Sequence, residues 1–397
     1  MRKKAYFKSV TIFLSILLVF SQLQLFSLPA YGETVSDQPL LFRSVGVAQS
    51  GTTYYVDGEG GNNANDGQSP ASAWRDFEKV NQTEFQPGDH LLLNAQSTWN
   101  NQLLHPKGNG TAAQKIVIDF YDTNDKGETI FETTRRPIIN GGGTYSTGTF
   151  KRAISGAVQL VNQEYWDISN LEVTNTPELD NLEGYKKPGD AQRAGILVLG
   201  YEQNRTFNSV TIRNNYVHDV QTEYYLNLSG NTATKRLKAV GGIIVLGSWF
   251  DENGNVVTAA NDHRTTTGFN DILIENNVIQ RVGLEGIRTK ADSDTSRGNT
   301  FYKTFSNITI RNNYLEDIAG DGIVLSEAKS GGVVEGNVAV RMCNADYGTQ
   351  NYAGVWAMSV DDGLFQYNEV YGIKYGFNDA EAYDVDMQSN KIGRAHV

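Results

Sequence analysis

The chain has 397 residues, a net charge of −11 and one cysteine, Cys343. A single cysteine excludes an internal disulfide and a cysteine-built metal site, and the acidic balance is a poor surface for nucleic acid. The length is sufficient to bury a sizeable core, and 40 glycines beside many asparagines point to frequent turns.

Arg2, Lys3, Lys4 and Lys8 precede an apolar run over residues 10–20, and Ala30-Tyr31-Gly32 supplies small residues at the spacing a signal peptidase needs. Residues 1–32 therefore read as an export signal cut before Glu33. A membrane anchor is the competing reading, but the run is short and broken by Ser21, Gln22 and Gln24. The leader carries four basic residues and no acid, which leaves 30 basic against 45 acidic residues, or −15. The expectation is a secreted, extracellular monomer with no membrane contact once the signal is removed.

Residues 33–51 read as a polar linker, or at most a short strand near Leu40 to Phe42. Residues 52–139 read as an N-terminal cap with the first coils. A strand at TTYYV leads to a turn-rich loop. Ser72 then precedes a short amphipathic helix in AWRDFEKVNQTEF, with Trp74, Phe77 and Val80 on one side. Further strands are expected at Leu91-Leu92-Leu93 and at KIVIDFYD from Lys115.

Residues 140–390 repeat. One unit recurs as VTIRNNYVHDV from Val210, ILIENNVIQRV from Ile272 and ITIRNNYLEDI from Ile308. A second recurs between these as AGILVLG from Ala194, GGIIVLG from Gly241, EGIRTKA from Glu285, DGIVLSE from Asp321 and AGVWAMS from Ala353. Equivalent positions come as close as 24 residues, from Asn313 to Asn337. A strict repeat calls for a solenoid. The apolar residues alternate every second position, as at Ile308 and Ile310, so the coils are built from strands rather than helices. Asparagine suits the corners because it tolerates the left-handed conformation and can bond along a stack of its equivalents.

Stacking the second unit on its glycines gives columns of fixed facing, because side chains alternate along a strand. Ile196, Ile243, Ile287, Ile323, Val355 and Tyr383 point inward. Leu197, Ile244, Arg288, Val324, Trp356 and Asp384 point outward, and Leu199, Leu246, Lys290, Ser326, Met358 and Asp386 form the next outward column. Ala194, Gly241, Glu285, Asp321, Ala353 and Glu381 edge the face. One face thus changes from aliphatic to charged along the axis, the early part being a place for the long inserts such as Leu226 to Arg236 to cover.

The IxIxNNxI and xGIxV units, with the lead-in NNANDGQSPASAWRDFEKVN and FQPGDHLLL, resemble the right-handed parallel β-helix, or pectate-lyase-like, superfamily of secreted carbohydrate-active proteins. The resemblance implies an all-β, single-stranded right-handed solenoid with a short N-terminal capping helix and a polysaccharide or oligosaccharide ligand. It leaves the reaction open, because that superfamily holds hydrolases, lyases and non-catalytic proteins. Of the polygalacturonase-like motifs only the Asp361-Asp362 pair has a counterpart. Arg288 or Lys290 would be the base of a lyase, but three coils from Asp384 they are too far for one reaction centre, which leaves them to bind a distal sugar or to pair with Glu285 and Asp321.

An aromatic beside carboxylates is what a sugar site needs, a flat apolar surface and groups that move protons. The expected catalytic set is Asp384 and Asp386, completed by Glu381 or by Asp361 and Asp362, with Trp356, Arg288, Lys290 and Asp321 on the substrate. Solvated corner acids are the plainer alternative, above all for Asp361 and Asp362 before Gly363. The leading function is a glycoside hydrolase that requires no cofactor. The others are a Ca²⁺-dependent polysaccharide lyase, for which clustered acids are suitable ligands, and a non-catalytic carbohydrate-binding or surface protein. His90, His105, His218 and His263 show no metal spacing, and Trp249 is placed to wall a groove. The tail IGRAHV back-translates to the start of a common short-read sequencing adapter. Residues 391–397 therefore read as an artefact, with the solenoid truncated and further coils missing above Asp384.

Overall fold

Three long parallel sheets stack coil upon coil. The computed structural model of the chain describes residues 41–48, 50–142, 154–176, 193–221, 241–258, 264–292, 302–344, 352–374, 380–386, 389–390 and 392–393, all in one unit, Leu41–Val397. The leader, the insert from Leu226 to Arg236, His263, Asp379, Lys391 and the tail from Arg394 lie outside the described residues. The first sheet has strands Ser155–Val161, Arg193–Gly200, Gly241–Gly247, Glu285–Ala291, Ile323–Ser326, Ala353–Met358 and Glu381–Asp386, each pairing in parallel with the next. A second runs from Thr53–Val56 through His90–Asn94, Ile116–Thr123 and Trp166–Ser169 to Leu364–Gln366, and a third from Thr98–Asn100 to Glu369–Tyr371. The fold is the expected parallel β-helix.

The core follows from period-two alternation. In the second sheet Ile118, Ile168, Ile212, Ile274, Ile310, Val334 and Phe365 are successive register partners, all buried. Burying each such side chain contributes about 1.5–3 kcal/mol. At the corner between the second and third sheets, Asn214, Asn276 and Asn312 have φ near +55°, which a short polar side chain tolerates. The following asparagine turns inward. Asn215, Asn277, Asn313, Asn337 and Asn368 form a ladder in which each Nδ2 donates to the next Oδ1 at 2.9–3.1 Å and to a backbone carbonyl one coil back. The ladder satisfies polar groups that this tight corner would otherwise bury unpaired.

The other corner of the third sheet is charged. Asp219, Arg281, Asp317 and Arg341 all have φ between +49° and +57°. Arg281 holds Asp219 through Nε and Nη2 at 2.7 and 2.8 Å, and Arg341 holds Asp317 the same way at 2.6 and 2.9 Å.

One local expectation changes. The N-terminal helix is Phe77–Gln82, capped by Asp76, whose carboxylate accepts the N–H of Glu78. Ser72 ends a separate 3₁₀ turn, Pro70–Ser72, and Trp74 sits outside the helix, stacked 4.9 Å from Tyr54. The polar segment after residue 40 contributes a strand, Phe42–Arg43, antiparallel to Glu132–Thr133.

Candidate active site

The first sheet follows the column reading of the sequence residue by residue. Leu197 pairs with Ile244, Ile244 with Arg288, Arg288 with Val324, Val324 with Trp356 and Trp356 with Asp384. Met358 pairs with Asp386, and Ala353 with Glu381. The glycines explain why the residues before them belong to this outer face. A Cβ on Gly286 would lie 2.5 Å from Leu315 Cδ2, and one on Gly354 2.4 Å from Val370 Cγ1, both core side chains of the third sheet. At the start of the strand the glycine Cβ would thus meet the third sheet, and Glu285 and Asp321, one residue earlier, reach the side of Arg288 ahead of the alternation that begins at Ile287 and Ile323.

Those three residues form a fully buried cluster. Arg288 Nη1 donates to Glu285 Oε2 and to Asp321 Oδ2, each at 3.2 Å. Asp321 Oδ1 also accepts the N–H of Ala353 at 2.7 Å. Burial by itself would weaken the hold of Arg288 on its proton, but Glu285 and Asp321 outweigh it and keep the guanidinium above its ordinary range. Arg288 Cζ stands 5.9 Å from the centroid of the Trp356 ring. Trp356 packs with Val324, Ala353 and Met358 in a small apolar cluster separate from the main core and keeps 6% of its surface exposed. Lys290 is partly exposed.

The acids of the last strand are more open. Asp384 and Asp386 are partly exposed and Glu381 is exposed. Asp384 and Asp386 lie two residues apart on one strand, roughly 6.5 Å along it. Their neighbours on the core-facing columns, Tyr383 and Val385, are 43% and 58% exposed. Asp361 and Asp362 are drawn elsewhere. Asp361 accepts Lys303 Nζ at 2.7 Å and Asn390 Nδ2 at 2.9 Å, and Asp362 occupies a bend at φ +53°. The structure thus brings Trp356 and Met358 onto the strand next to Asp384 and Asp386. Arg288 and Asp321 stand lower on the same face, and the Asp361-Asp362 pair sits on a corner.

Glu327 was not singled out from the sequence. It follows strand Ile323–Ser326 at φ +52°, is fully buried, and accepts the N–H of Ala291 at 3.2 Å. Burial pushes its carboxyl upward, and Lys290 and Arg288 oppose this. Its signal was available: the neighbouring coils place Gly200, Gly247 and Ala291 after the second outward column, so an acid there is out of pattern. Beside it the pairing of Glu285–Ala291 with Ile323–Ser326 stops after Arg288 and Val324, and the Thr289 hydroxyl takes over, accepting the Ser326 N–H at 2.8 Å.

The histidines serve elsewhere. His90 Nδ1 meets Gly46 O, His105 meets Gln159 Nε2 at 3.0 Å, and His218 bonds Glu172 and Asp219. Trp249 is buried against Phe250. Among the described residues no three His, Cys, Asp or Glu side chains are grouped to hold a metal ion.

No family model matches the chain. A lacto-N-biosidase of Bifidobacterium longum subsp. longum is 28% identical over 392 residues, covering 86% of this chain and 24% of the relative. Two crystal structures of the GH136 lacto-N-biosidase from Eubacterium ramulus align with TM-scores of 0.61, at 24% and 23% identity, covering 85% of this chain and 55% of theirs. The chain thus spans about a quarter of the curated relative and about half of the solved one. What it has in common with the solved structures is the fold, and that fold carries the outer face of the first sheet with its acids.

Proposed function

We propose that the chain is the β-helix part of an exported glycoside hydrolase, acting on an oligosaccharide at the upper end of the first sheet's outer face. The observation that carries the reading is the pairing of Trp356 with Asp384 and of Met358 with Asp386, which sets a packed apolar layer directly beside two outward carboxylates. The lacto-N-biosidase relatives support the reaction class and suggest a substrate ending in lacto-N-biose.

Asp384 and Asp386 are the acid pair of this reading, with Glu381 at the rim. In this reading one carboxyl group serves as the acid and the other as the nucleophile or base. The protonated member gives its proton to the departing glycosidic oxygen, and the ionised member stabilises or attacks the anomeric carbon, or activates water against it. Trp356 and Met358, each with 6% of its surface exposed, form the packed layer beneath the pair, and no cofactor is required. The acidic surface favours a neutral sugar over a uronate. A chromogenic aryl lacto-N-bioside tests the reading. Asp384→Asn is expected to lower kcat by about a hundredfold or more with KM little changed, as for a group used mainly in the transition state. Full activity in Asp384→Asn and in Asp386→Asn would remove the pair.

A further inference from the structure

Arg288 is held too firmly, and too near Trp356, to be a passive filler of the outer face. In the outer column it lies two strands below Trp356, with Val324 between them. Its guanidinium carbon at 5.9 Å from the indole centroid is within the ~6 Å over which a cation is attracted to an aromatic face. Glu285, on the same strand, and Asp321, two residues before the next strand, fix that position, each 3.2 Å from the same Nη1. Asp321 has a second hold: its other oxygen takes the N–H of Ala353, the first residue of the strand that carries Trp356. The strand bearing the indole is therefore gripped through its backbone, and the ring faces a guanidinium that cannot turn away without leaving two buried carboxylates uncompensated. Desolvating three charges costs about as much as pairing them returns, so what such a cluster contributes is fixed geometry rather than stability.

We infer that Arg288, clamped by Glu285 and Asp321, is a positioning residue that sets the tilt of the nearly buried Trp356 and with it the packing under the sugar subsite beside Asp384. The inference rests on the outer face being a sugar site. It assigns Arg288 to the ring, not to the reacting atoms.

Arg288→Lys keeps the charge and loses the planar fork. The triple variant Glu285→Gln, Arg288→Met, Asp321→Asn removes all three charges of the cluster together, while buried Glu327 keeps the field of Lys290. Far-UV circular dichroism identifies the folded variants. The near-UV signal of Trp356 is isolated by subtracting the spectrum of Trp356→Phe. In folded Arg288→Lys and in the triple variant the Trp356 signal is expected to fall by more than about half. KM for the aryl lacto-N-bioside is expected to rise about tenfold, with kcat within about threefold. An unchanged Trp356 signal, or an unchanged KM in an active variant, would overturn the inference, as would a collapse of kcat at constant KM. If the wild-type chain turns over no lacto-N-bioside, the substrate reading fails and the Trp356 signal alone decides the role of Arg288.

Discussion

At the scale of single residues, the corner asparagines are the clearest link from sequence to structure. The Asn-Asn pairs in VTIRNNY, ILIENNV and ITIRNNY were legible as left-handed corners with a bonded stack. The structure divides the work between the two: the first asparagine takes the positive φ, and the second builds the ladder. Asn277 Oδ1 accepts from both the backbone and the side chain of Asn215, while its Nδ2 donates to Ile212 O and Asn313 Oδ1. Asn277→Ala leaves several of these buried groups unsatisfied, and about 2–4 kcal/mol of stability should be lost in urea denaturation. His218 gives a prediction in pH. Burial alone would lower its pKa, but hydrogen bonds to Glu172 and Asp219 outweigh this and raise it above the ordinary 6.5. Arg281 also faces this group, through Asp219 and His218 itself. The folded chain thus favours protonated His218. That stabilisation is fully present below the unfolded value and is lost as pH rises through the folded one. The urea midpoints of wild type and His218→Gln should differ more at about pH 5.5 than at about pH 8.5. Equal differences at both would show that the histidine does not couple to folding.

At the scale of elements, the first sheet was readable because its glycines anchor the register. Each would carry a Cβ into the neighbouring sheet or the next strand, so the position admits nothing larger. On Gly322 the Cβ would lie 2.3 Å from Gly354 O and 2.9 Å from Met342 Sδ. Gly322→Ala should cost about 3 kcal/mol, at the upper end of overpacking effects, read as a lowered urea midpoint. An unchanged midpoint would mean that the glycine column is not a steric requirement. Where the anchor shifts, sequence reading falters. Strand Ser155–Val161 opens the sheet, yet its Gly156 pairs with Ala194 rather than Gly195, so alignment on glycine misplaces it by one. The helix start was displaced for a different reason: Ser72 and Asp76 are both good caps, and Ser69 with Pro70 had already claimed Ser72 for a tighter turn.

At the scale of the whole molecule, alternation along the strands fixes which side each residue takes, and stacking fixes its neighbours on the coils above and below. These two rules placed Arg288, Trp356, Asp384 and Asp386 on one face from sequence alone. They do not give burial. Arg288, Asp321 and Trp356 are almost wholly covered, while Asp384 and Asp386 lie on the last strand of the sheet, whose inward Tyr383 and Val385 are exposed as well. Nor do they give the burial of Glu327, which the sequence marks only by its contrast with Gly200, Gly247 and Ala291 at the equivalent position. The same face therefore has a charged part around Arg288 and an acidic part at Asp384 and Asp386, and the proposed chemistry belongs to the acidic part. The most direct measurement is the turnover of an aryl lacto-N-bioside by the wild-type chain beside the Asp384→Asn, Asp386→Asn double variant, with both shown to be folded. The account predicts release of the aryl group by the wild type and a fall of about a thousandfold or more in the double variant. Equal turnover by the two proteins would contradict it.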